Sequence, residues 1–154
     1  MLNHLKNKPL LILLTFVTLV FVVFGNSLTN NFVFDDLAIV RNRDELKTIS
    51  HLPFLFFEPY HEKGLNTDLY RPITMISFSI NYFVFGEKPW GFHLVNILLH
   101  AIASWLLYLS LFKITNKFRV SLLAAILFLL LPIHTEAINP IVGRAEILSL
   151  LFIS

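Results

Sequence analysis

From Pro9 to Phe34 the chain carries no charged residue, and Leu10 to Phe24 within that run is almost wholly apolar. A helix rises about 1.5 Å per residue, so a run of this length crosses a bilayer core of about 30 Å. Lys6 and Lys8 ahead of it, and Val23-Phe24-Gly25 at its end, also suit the basic flank and small-residue cleavage site of a secretory signal peptide. The apolar segments further along favour an uncleaved first span at about 9–25.

Those segments set the class. Of 154 residues 56% are apolar, 16 are Phe, and the mean hydropathy is +0.71, far from a soluble domain and typical of a polytopic membrane protein. Further spans are predicted at about 90–112 and 120–133, the last a short apolar stretch ended by Pro132 and His134. A fourth starts at about 145–154 but has only about 12 Å of helix from Ile147 onward, too little to cross. The expected fold is therefore an all-α, polytopic integral membrane helical bundle, a single N-terminal membrane domain over 1–154 that reads as a truncated fragment. The chain has no cysteine, which excludes disulfides and thiolate metal sites.

The net charge of +2 says little, but its distribution sets an orientation. Lys113, Lys117 and Arg119 sit between the second and third spans without an acid, whereas Asp35 to Glu87 holds eight of the ten acids. The positive-inside rule puts the basic loop and the N-terminus in the cytoplasm and the long loop 26–89 in a periplasm or lumen. That outer loop also carries Arg41, Arg43, Lys47, Lys63, Arg71 and Lys88, an opposing count that its length and its acids weaken. The location implied is a bacterial inner membrane or the endoplasmic reticulum. The bilayer is the first partner, and the charge pattern suits no nucleic acid.

The outer loop mixes Pro53, Pro59, Gly64 and Pro72 with Phe54, Phe56, Phe57 and Tyr60, which predicts short broken helices hugging the membrane interface. One surface helix is expected from Asp44 through Leu46, Ile49, Leu52 and Leu55, shortened by Pro53. Residues 72–86 are apolar and uncharged but reach only about 22 Å as a helix. Thr74, Ser77 and Asn81 form a polar stripe opposite Ile76, Ile80 and Phe83, as in an interfacial helix. Treating this segment as a span would move Lys113 to Arg119 outside, against the charge rule.

Three groups of residues carry chemistry. Asp35 and Asp36 pair two carboxylates at the membrane surface, where a base or a divalent-cation ligand is one reading and a solvated loop pair the other. His93, Asn96, His100 and Ser104 fall at i, i+3, i+7 and i+11, one stripe of the second span that suits a hydrated cavity or interhelical hydrogen bonds. Beyond the third span come His134, Glu136, Asn139, Arg144 and Glu146. His134-x-Glu136 is a weak zinc signature. The planar fork of Arg144 fits an anion such as a phosphate, with an ion pair to Glu136 or Glu146 as the structural alternative.

Four stretches in order carry a resemblance: Phe32 to Ile39 after the first span, Tyr70-Arg71-Pro72, Gly91 to His100, and His134-x-Glu136 with Gly143-Arg144-Ala145-Glu146. Across nearly the whole chain they resemble the GT-C membrane glycosyltransferases, most closely the N-terminal membrane part of the transmembrane-and-tetratricopeptide O-mannosyltransferase family. The resemblance implies transfer of a sugar, mannose or another hexose, from a polyprenyl or dolichyl phosphate carrier to a hydroxyl acceptor on the outer face. It makes Asp35 the leading loop acid, with Asp36 holding the acceptor, a neighbour or a divalent cation. Arg71 and Arg144 become phosphate ligands, and His93, Asn96, His100, His134, Glu136 and Glu146 secondary cavity residues. No cofactor beyond such a cation is implied. The chain departs from the family in lacking its many further spans and its repeats of about 34 residues, so a segment of this length is expected to hold part of a site and to be inactive alone. Two other readings stand beside this one. The polar stripe of the second span would also suit a transporter or channel segment, and a non-catalytic membrane scaffold has no specific feature in its favour.

Overall fold

A computed structural model describes residues 8–61 and 69–153. Lys6, Lys63, Gly64, two of the loop acids (Glu62 and Asp68) and the terminal Ser154 of the expected fourth span lie outside the described residues.

Helix α1 spans Pro9–Phe24 and continues through a 3-10 turn at Gly25–Thr29, together 21 residues that are long and apolar enough to cross a bilayer. Proline opens it at a position where no backbone donor is needed. Ile12, Phe16, Val20 and Phe24 recur every fourth residue and are buried, while Leu10, Leu14 and Val22 on other faces are exposed. Helix α2 covers Pro72–Phe85 and stops at Gly86, whose φ of +62° is left-handed and suits glycine. Helix α3 covers Pro89–Thr115 and is capped by Asn116 in the left-handed region. It is the second helix that can cross. Then follow α4 at Phe118–Leu130, α5 at Thr135–Ile138 and α6 at Arg144–Ile153. All regular structure among the described residues is helical.

Two expectations change here. Helix α4 has 13 residues, about 20 Å, which is short of a crossing. It passes as a third span only together with Pro132–Ile138, to which it is bent by 48°, as a broken span or a re-entrant loop. The surface helix expected from Asp44 does not form. In its place stand single 3-10 turns at Asp44–Lys47, Ile49–His51 and Phe54–Phe56, because Thr48 is extended (φ −112°, ψ 112°) and Pro53 cannot continue a hydrogen-bonded run.

Two apolar cores hold these pieces. In the first, Phe16 and Val20 of α1, Ile97, Ala101 and Tyr108 of α3, and Ala125 and Leu129 of α4 pack with Ile138 and Ile147. The indole N–H of Trp105 donates to the Pro9 carbonyl at 3.1 Å, fastening α3 to the start of α1. The second core joins the outer loop to α2 and the head of α3, through Phe32, Ile39, Val40, Leu46, Leu55, Met75, Phe78, Tyr82, Phe92 and Ile141. The loop is thus folded onto the helices. Arg43, itself buried, clamps it by donating from Nη1 to the carbonyls of Pro59 (3.1 Å) and Tyr60 (3.0 Å) and from Nη2 to Glu58 (3.3 Å).

Helix α2 matches its expected bounds, but its polar stripe faces the protein. Thr74 and Asn81 are buried, whereas Ile80 and Phe83 lie on the exposed side. Where α5 meets α6 the backbones nearly touch: a Cβ added to Gly143 would lie 2.3 Å from the carbonyl oxygen of Ala137 and 2.9 Å from its Cα. Backbone cannot swing away as a side chain can, so Gly143→Ala is expected to destabilise the fold by about 1–3 kcal/mol. Thermal unfolding in detergent micelles measures this, and an unchanged midpoint would contradict so close an approach.

Candidate active site

The site begins with a strained turn. Phe34 has φ +46°, a left-handed conformation that costs a bulky residue about 1–2 kcal/mol. Its side chain is 89% exposed, so packing offers no compensation. The turn closes through the Asp36 N–H donating to the Val33 carbonyl (2.9 Å) and the Leu37 N–H to that of Phe34 (3.1 Å). This geometry sends two consecutive carboxylates in different directions.

Asp36 goes inward and is fully buried. Its Oδ1 accepts the Val142 N–H at 3.0 Å and its Oδ2 the Val33 N–H at 3.3 Å. Burial pushes its pKa above the ordinary 3.8, and the backbone N–H groups partly oppose that rise. Asp35 stays exposed and lines a chamber of 280 Å³ with Tyr60, His61, Arg71, Glu136, Glu146 and the backbone around Pro140 to Gly143. Four residues singled out by sequence, Asp35, Arg71, Glu136 and Glu146, therefore meet in one cavity.

Arg71 is half-buried at the mouth of α2, with its guanidinium carbon 5.2 Å from the centroid of the Tyr60 ring, within cation–π range. Tyr60 is held from three sides. Its N–H donates to the Leu69 carbonyl (2.8 Å), its hydroxyl to that of Val142 (3.4 Å), and its own carbonyl accepts from Arg43. Burial pushes its hydroxyl up to about 12, so it stays a protonated donor at neutral pH. Arg71 also borders a second, mostly apolar groove of 210 Å³ between the start of α2 and α6, lined by Ile73, Thr74, Leu148 and Phe152 among others. The sequence marks Tyr60 only as a loop aromatic and Arg43 only as one of the loop's basic residues, and it gives no sign of His61. The only local signal was a tyrosine after Pro59 in a loop rich in rings.

Arg144 lies elsewhere. It is fully buried, and its Nε donates to Asn96 Oδ1 (2.7 Å), Nη1 to the Ser77 carbonyl (3.2 Å) and Oγ (3.3 Å), and Nη2 to the Phe92 carbonyl (3.0 Å). The rings of Phe78 and Phe92 flank the guanidinium at 4.7 and 5.8 Å. The guanidinium expected to meet a phosphate is thus bonded within the protein and does not line the chamber that holds Arg71. Among the described residues the alternative pairing with Glu136 or Glu146 does not form either.

The α3 stripe is likewise occupied by packing, in place of the expected hydrated cavity. Asn96 Nδ2 donates to the carbonyls of Pro140 (3.1 Å), Ile141 (3.3 Å) and Ile138 (3.4 Å). His100 Nε2 lies 3.2 Å from the Leu129 carbonyl, and the Ser104 hydroxyl donates to the His100 carbonyl (2.8 Å). His134 packs against Phe128 and His100 at 4.3 and 5.0 Å. His93 is fully buried near Asp36, beside the backbone of Asn30 and Asn139. Among the described residues no three His, Asp or Glu side chains are placed to hold a metal ion. The Asp pair does not face one cation, because Asp36 points inward to backbone donors.

With this geometry in place, comparison with known proteins is informative. The chain is 36% identical over 140 residues to protein O-mannosyl-transferase TMTC3 of Mus musculus, covering 88% of this chain and 15% of that protein. It is 37% identical over 150 residues to protein O-mannosyl-transferase TMTC4 of Homo sapiens, covering 85% and 20% respectively. Over this segment the chain belongs to the TMTC protein O-mannosyl-transferase family. A relative from Drosophila melanogaster, protein O-mannosyl-transferase Tmtc1, is 36% identical over 94% of the chain and 17% of its own length. The segment thus spans about 15–20% of the TMTC proteins it matches. No family model and no solved structure matches it.

For this TMTC segment the inward Asp36 sets a pH dependence. A carboxyl whose pKa is raised by folding holds its proton more tightly in the folded state, so its contribution to stability is present below 3.8 and is lost as pH rises through the raised folded value. Asp36→Asn, which cannot titrate, is expected to flatten the stability–pH profile in that window. Unfolding midpoints in micelles across pH 3.5 to about 7 measure it, and a profile identical to wild type would contradict the assignment.

Proposed function

We propose that the chamber is the acceptor- and phosphate-facing part of a GT-C type glycosyltransferase on the outer or lumenal side of a multi-pass membrane protein. The sugar, mannose as in the relatives' names or another hexose, comes from a polyprenyl or dolichyl phosphate carrier and goes to a hydroxyl, in a protein or another acceptor. The observation that carries this reading is the position of Arg71, on the shared wall of a carboxylate-lined chamber and an apolar groove. A lipid phosphate sugar has the same division: polar sugar, anionic phosphate, apolar tail.

In this reading Asp35 accepts the proton of the acceptor hydroxyl as its oxygen bonds to the anomeric carbon. The bond from that carbon to the phosphate oxygen breaks, and the lipid phosphate leaves with the bonding electrons. A positioned base is worth about 10²–10⁴ in rate. Arg71 offsets the charge gathering on the leaving phosphate, with two parallel donors that suit it. Tyr60 holds the guanidinium, and Glu136 and Glu146 line the same chamber and meet the sugar or acceptor hydroxyls. Arg71 takes the neutralising role that a divalent cation at Asp35 would otherwise fill, and transfer that survives chelation by EDTA separates the two.

In a full-length family member carrying these residues, Asp35→Ala is expected to lower sugar transfer from the lipid phosphate donor by about 10²–10⁴. Arg71→Ala is expected to lower it by at least tenfold, from the loss of roughly 1.5–3 kcal/mol of charged hydrogen bonding. Radiolabelled transfer in membranes reads both. Wild-type rates in Asp35→Ala and in the Asp35/Asp36 double alanine variant would rule the role out.

A further inference from the structure

Phe34 is the residue whose identity the fold does not explain. The turn that sends Asp36 inward and leaves Asp35 exposed has a positive φ at this position, which glycine or asparagine adopts at less cost than a bulky side chain. The phenylalanine ring gains no packing within the chain, since it is 89% exposed. Backbone strain of this kind persists where the surroundings fix it, and it collects at functional sites. Asp36 does the fixing, accepting the Val33 N–H at 3.3 Å and the Val142 N–H at 3.0 Å.

The ring borders a cavity of its own. Phe34 and Val33, the exposed Asn30 and Asn31, and Pro140 line a recess of 550 Å³, within the size range of ligand sites. Pro140 also lines the chamber of Asp35, and Arg71 lines both that chamber and the apolar groove. Shared walls thus connect groove to chamber and chamber to recess, and no described residue lines both the groove and the recess.

We infer that this recess seats the polypeptide that carries the acceptor hydroxyl, with Phe34 as an acceptor-contacting residue. The inference rests on the transferase reading of Asp35 and Arg71. Consecutive Cα atoms lie about 3.8 Å apart, so a hydroxyl bonded to Asp35 brings the body of its acceptor close to residue 34. A small alcohol ends inside the chamber, whereas a polypeptide runs on past its hydroxyl and needs a further surface. Val33, Phe34 and Pro140 offer apolar carbon to a side chain, and the amides of Asn30 and Asn31, each a donor and an acceptor, suit peptide N–H and C=O groups. A sugar acceptor bears hydroxyls around its ring and leaves those facing Val33 and Pro140 unpaired. A bilayer is fluid and demands no single backbone geometry, and it would draw the Asp35 carboxylate toward lipid along with the ring.

A detergent-solubilised full-length family member with these residues, given a radiolabelled lipid phosphate sugar and an extract of membrane proteins as acceptor, tests this. Phe34→Asn is expected to raise the acceptor concentration for half-maximal labelling of protein about tenfold, equivalent to about 1.4 kcal/mol, with the maximal rate and the donor half-saturation unchanged. Phe34→Tyr keeps the ring and is expected to behave as wild type. The unfolding midpoint of the 154-residue chain in micelles is expected to hold or to rise by about 2–4 °C in Phe34→Asn, so weaker acceptor use is not lost fold. Loss of transfer in Asp35→Ala with an unmoved acceptor half-saturation in Phe34→Asn overturns this inference and keeps the transferase reading. Wild-type transfer in Asp35→Ala overturns both, as does a wild-type enzyme that labels no protein. Label that peptide N-glycosidase releases would assign the recess to a sugar acceptor and overturn the inference. The chain has no cysteine, so Phe34→Cys carries a single bimane, and its quenching by acyl-brominated phosphatidylcholine vesicles would overturn the inference in favour of the bilayer.

Discussion

A guanidinium buried without a carboxylate is an unusual centre for a fold, and Arg144 is that centre here. Its donors draw together Ser77 of α2, Phe92 and Asn96 of α3, and α6 itself. Asn96 passes the connection on to the carbonyls of Ile138, Pro140 and Ile141. Removing a cation from water costs several kcal/mol, so these bonds do more to select one arrangement than to add net stability. Their effect is registry. They set the start of α6 against α2, and Glu146, Pro140, Val142 and Gly143 line one chamber with Arg71 and Asp35.

The outer loop depends on the same centre at one remove. Phe92 is both a flank of Arg144 and a member of the core beneath the loop, where it meets Phe32, Phe78 and Tyr82 edge-on or tilted. Arg43 supplies a second guanidinium of similar habit, spent largely on backbone carbonyls. A loop rich in proline and aromatics, with little regular structure, is thus held in place by two arginines and one ring-lined core.

Hydropathy made α1 and α3 readable, because a long uncharged run has few alternatives, and the bounds of α2 followed from Pro72 and Gly86. What hydropathy cannot read is direction. Asp35, Arg71, Glu136 and Glu146 were picked out as polar groups on one side, and they do converge. Arg144, chosen on the same grounds, turned inward, since a guanidinium fits a phosphate and a set of carbonyls equally well. The Asp pair was legible as a marker, but the left-handed turn that separates its members falls on Phe34, where glycine or asparagine would have announced it. The stripe of α3 was read correctly as one face. Whether water or protein lay opposite depended on the 138–141 turn, far along the chain. The helix expected from Asp44 failed because apolar spacing said nothing of the extended Thr48.

The bond from the Val142 N–H to Asp36 joins residues 106 positions apart. A ribosome adds about 5–20 residues per second, so for roughly five to twenty seconds after Asp36 is made its distant partner does not yet exist. Through that interval the turn of the first loop lacks this bond, and the residues from Glu136 to Glu146 that line the chamber with Asp35 are still unsynthesised. The cavity is therefore a late product of biogenesis, assembled by the return of the chain and not by the loop itself.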